Sequence, residues 1–70
     1  MTSQQAVELV KAERGAELRS IPGVFGLSVQ RRTDGDFMLV VFVDRACPLP
    51  EQRTIGDVDV VFQHEDRMRL

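Results

Sequence analysis

The chain has 70 residues and a mass of 7.9 kDa, which limits it to a single small domain, 1–70, burying about 60 % of the surface that its unfolded form exposes. With 43% apolar and 29% charged residues, it has the composition of a folded chain rather than a disordered one. Its 9 basic and 11 acidic residues are interspersed and leave a net charge of -2, so the basic stripe that a nucleic-acid partner needs is missing.

The longest apolar run, Phe37 to Val43, is far shorter than the roughly 20 residues of a membrane span. The first residues also lack the apolar core of a signal peptide. The lone Cys47 has no internal disulfide partner. Together these features predict a cytoplasmic chain that contacts neither membrane nor nucleic acid.

At the N-terminus, Thr2 and Gln5 have capping-box spacing, and Ala6, Val7, Leu9 and Val10 follow at helical intervals, predicting a helix from Ser3 to Arg19. Its second half is less regular, because Glu13 and Glu17 project near the angle of Val10 and Gly15 costs about 1 kcal/mol relative to Ala. Packing of the first three turns is therefore expected to secure it. Ile21-Pro22-Gly23 ends the helix.

Beyond Gly23 the period changes from 3.6 to 2. Phe25, Leu27 and Val29 alternate with Val24, Gly26, Ser28 and Gln30, the pattern of a strand with one apolar face. Thr33-Asp34-Gly35-Asp36 carries an Asp-Gly pair suited to a primed hairpin turn, leading to an antiparallel strand from Phe37 to Asp44. Pro48 and Pro50 exclude a central strand, so the stretch to Gly56 reads as loop. A third strand is expected from Asp57 to Gln63. The predicted fold is α+β, one N-terminal helix on a three-stranded, mainly antiparallel sheet.

In that arrangement Phe25, Leu27, Val29, Phe37, Leu39, Val41, Val43, Val58, Val60 and Phe62 share the face that the helix covers. The opposite face carries polar Ser28, Gln30 and Asp59, but also an apolar stripe of Val24, Met38, Val40, Phe42 and Val61. A middle strand apolar on both sides normally has cover on both, and one helix supplies only one. The stripe is accordingly expected to lie in an intermolecular contact.

Residues suited to catalysis are sparse. The single His64 reads as a solvated strand-end residue, and no local motif joins it to Cys47, Ser20 or Ser28 as a nucleophile and base. One His and one Cys fall short of a structural zinc set, and Gly23 and Gly26 form no phosphate-binding motif. Cys47, with Arg45 two residues before it, is either an inert residue packed under the loop or a reactive thiol. Arg31 and Arg32 read as a solvated hairpin tip neutralised by Asp34 and Asp36. No catalytic residue, metal or cofactor is expected.

The segments Ile21-Pro22-Gly23-Val24-Phe25-Gly26-Leu27-Ser28-Val29, Leu39-Val40-Val41-Phe42-Val43, Leu49-Pro50 and Ile55-Gly56-Asp57-Val58-Asp59-Val60-Val61 resemble the N-terminal accessory segment of bacterial trypsin-like serine peptidases of the plant narrow-leaf type. Ser28 departs from the glycine usual there. The resemblance implies a small β-rich module that precedes a catalytic domain, and none of the peptidase's catalytic residues maps onto this chain. The expected function is a non-enzymatic interaction or accessory module that forms a homodimer or binds another protein through the apolar stripe. The alternative is a small-molecule-binding or thiol-reactive protein centred on the Cys47 loop.

Overall fold

The computed structural model describes residues 3–66. They form a helix α1 (Gln4–Arg19) and strands β1 (Val24–Arg31), β2 (Phe37–Asp44), β3 (Arg53–Ile55) and β4 (Val58–Glu65). The α+β class is as expected, but the sheet has four strands in the order β1-β2-β4-β3. It is also mixed: β1 and β3 run antiparallel to their neighbours, whereas β2 and β4 are parallel.

Ser3 is the N-cap of α1, its hydroxyl oxygen accepting from the Ala6 N–H at 3.2 Å. Thr2, expected to cap with Gln5, lies outside the described residues. Val7 and Leu18 are both buried, so the helix is held along its whole length rather than by its first turns. Gly15 explains the difference. A Cβ there would stand 3.3 Å from Leu27 Cδ1, so the glycine lets the second half of α1 approach β1 closely.

The β1–β2 turn is unprimed. The Gly35 N–H donates to the Arg32 carbonyl at 3.1 Å and the Arg32 N–H to the Asp36 carbonyl at 2.6 Å. Within this turn Gly35 alone has a positive φ, 95°, and Asp34 does not. This is a type I turn followed by a left-handed glycine, the usual three-residue hairpin loop.

A second hairpin lies where loop was expected. Ile55 pairs with Val58 across Gly56-Asp57, and Gly56 has φ 61°, the glycine-first pattern of a type II′ turn. It folds β3 back onto β4. The chain therefore leaves the end of β2, returns along β3 at the sheet edge, and inserts β4 beside β2 in parallel.

The core lies between the sheet and α1. Leu39, Val41 and Val43 from β2 and Val58, Val60 and Phe62 from β4 are buried there with Val7 and Leu18. Leu27, Val29, Phe37 and Ile55 pack around them. The helix lies mainly over β1 and β2, and Cys47 from the loop after β2 packs on the same face.

Leu39→Ala and Val41→Ala remove side chains that are 0% exposed and should each cost about 2–4 kcal/mol in urea unfolding; near wild-type midpoints would show that the two faces are inverted. Gly35→Val should destabilise by about 1–2 kcal/mol although a Cβ there meets no atom within 4 Å, because the cost lies in the left-handed backbone. An unchanged melting temperature would contradict that turn geometry.

Candidate functional site

The second sheet face, opposite α1, is where the apolar stripe was expected, and a bulge changes its membership. Val24 pairs with Val43 and Gly26 with Phe42, with a register shift between them. The extra residue, Phe25, reverses the alternation at the start of β1. Val24 packs against the core cluster. Phe25, assigned to the core from its alternation, instead stacks on Phe42 with ring centroids 6.4 Å apart. Gly26 lies beside the same ring, and an added Cβ there would stand in ordinary van der Waals contact, 3.4 Å from Phe42 Cδ2. A glycine inside an alternating strand is the one sequence signal that points to such a bulge.

Of the other stripe residues, Val40 is 0% exposed. Its strand neighbours across the sheet are Ser28 and Val61. Met38, Phe42 and Val61 are half-buried. The face thus brings together Phe25, Met38, Phe42 and Val61 around a buried Val40, with Val24 removed to the other side.

At the end of this face where β2 and β4 begin lies an open groove of ≈ 750 Å³, lined in part by Met38, Val61, Arg32 and Asp59. Arg32, at the hairpin tip, forms an ion pair with Asp59 of β4, and the Asp34 carboxylate lies 3.6 Å from its guanidinium. Arg32 therefore ties the hairpin to β4 in addition to meeting its local acid. Arg31 instead places its guanidinium 6.0 Å from the Phe37 ring centre.

His64 is not a solvated residue beyond the strand. It lies within β4, opposite Val43, and is half-buried. Its Nε2 is 2.7 Å from the Cys47 carbonyl oxygen; a carbonyl only accepts, so the proton is on Nε2. Cys47 sits over Gly23, where a Cβ would come within 2.7 Å of both its Cβ and its Sγ. Gly23 also has φ 89°, so this position needs glycine for both reasons. The result is a structural latch between the loop after β2 and the ends of β1 and β4.

Among the described residues no three His, Cys, Asp or Glu side chains gather to hold a metal ion. No helix among them is long and apolar enough to cross a membrane. No protein-family model, curated protein or solved structure matches the chain.

With its thiol seated against Gly23 and the core, Cys47 should react with iodoacetamide much more slowly in the native protein than in urea. Native labelling as fast as in urea would support a reactive-thiol role instead.

Proposed function

We propose that the chain is a non-enzymatic interaction module that associates with a second copy through the second sheet face. The observation that carries this is the stacked Phe25–Phe42 pair, with Met38 and Val61 further along the same face. It lies on the face opposite the one where α1 and the Cys47 loop pack. Two such faces can pack about 10 Å apart as a sandwich, interleaving their aromatic and aliphatic side chains. Aromatic residues and Met are enriched in contacts of this kind. An accessory role, as the resemblance to the peptidase segment implies, requires nothing of the chain beyond such a surface.

Phe42→Asp should lower the solution mass, because a carboxylate desolvated without a partner at the contact costs several kcal/mol. Circular dichroism should show that the variant remains folded, since Phe42 lies outside the core cluster. If the mass matches the wild type, the second face is ordinary surface and the proposal fails.

A further inference from the structure

We infer that the free edge of β1 pairs with the same edge of a second copy, antiparallel about a two-fold axis through Val29. This contact uses a different surface from the second-face contact and does not depend on it.

The two edges of the sheet differ. β3 closes one edge with only three residues, of which Arg53 and Thr54 are exposed, a short, charged edge of the kind that resists pairing. β1 forms the other edge with eight residues, VFGLSVQR, containing neither proline nor lysine. The core is also less completely buried on the β1 side, where three core-facing residues are half-buried, compared with the single Ile55 of β3. Leu39, Val41 and Val43 of β2 and Val58, Val60 and Phe62 of β4 are buried, whereas no residue of β1 is, including core-facing Val24, Leu27 and Val29.

The ladder determines which backbone groups face outward. The Arg32 N–H bonds the Asp36 carbonyl, so antiparallel alternation makes Gln30–Met38, Ser28–Val40 and Gly26–Phe42 the hydrogen-bonded pairs. The N–H and C=O groups of Leu27, Val29 and Arg31 then point away from β2. With Val29 opposite its counterpart in the second copy, Leu27 stands opposite Arg31, and every one of these outward groups meets a partner. A register two residues away leaves some of them unpaired.

Side chains agree with this register. On the helix face Val29 meets its counterpart, and Leu27 lies beside the aliphatic stem of Arg31. On the second face Ser28 stands opposite Gln30, which offers both donors and acceptors. The bulge at Phe25 ends the regular edge, confining the contact to Gly26 through Arg31.

Sedimentation equilibrium of the full chain should give at least twice 7.9 kDa. Arg31→Pro removes an outward N–H while leaving the bonds to β2 in place, and should halve that mass with unchanged circular dichroism. Val29→Cys should form a disulfide-linked dimer on air oxidation. Leu27→Cys should not, because the two copies of that position lie about 13 Å apart along the strands. A monomeric wild type, equal cross-linking at both positions, or an Arg31→Pro variant of unchanged mass overturns the proposal. A mass halved by Arg31→Pro but untouched by Phe42→Asp would leave the edge contact standing and remove the second-face contact.

Discussion

The structure depends on β2, among the described residues the only strand with a full-length neighbour on each side and with buried side chains on both faces. Leu39, Val41 and Val43 point to the helix and Val40 to the second face, and all are 0% exposed. Burying a Val or Leu side chain contributes about 1.5–3 kcal/mol, a large share of the margin of so short a chain. The β1–β2 hairpin covers one side of the strand through local contacts. The other side is closed only after the chain has turned back through β3 and inserted β4.

Because α1 lies mainly over β1 and β2, the end of the sheet near β4 needs another cover. The loop after β2 supplies it without regular structure. The Ala46 N–H donates to the Asp44 carboxylate at 2.9 Å, and the Cys47 N–H to the Asp44 carbonyl at 2.9 Å, turning the loop back over the core face. Cys47 then fills the space above Gly23, and His64 bonds the carbonyl it presents. The packing of Cys47 under the loop is one of the two readings that the sequence allows, whereas the half-buried His64 has a role that its position at a strand end does not announce.

Most of the fold was legible because it is carried by periodicity. The helix limits, the β1–β2 hairpin and nine of the ten residues assigned to the helix face follow from spacing alone. Phe25 was misplaced because a bulge shifts the period by one residue, and only Gly26 marks it. β3 was missed because Arg53-Thr54-Ile55 is too short to show alternation, although Gly56-Asp57 is a two-residue hairpin signature. The parallel pairing of β2 and β4 depends on β3 and was therefore lost with it. In the stripe, Val24 and Val40 were legible as apolar strand residues, but their burial depends on register and neighbours.

The bulge also separates the two surfaces that the sheet presents. By turning Val24 inward and Phe25 outward, it builds the aromatic pair with Phe42 at one end of the second face. By breaking the ladder between Val24 and Gly26, it shortens the regular edge of β1 to the residues that follow. A continuous flat edge would invite pairing in several registers. With one end closed by the bulge and the other by the turn at Arg32, the outward groups of Leu27, Val29 and Arg31 satisfy one another completely only in the register centred on Val29. One extra residue thus shapes both the apolar face and the edge.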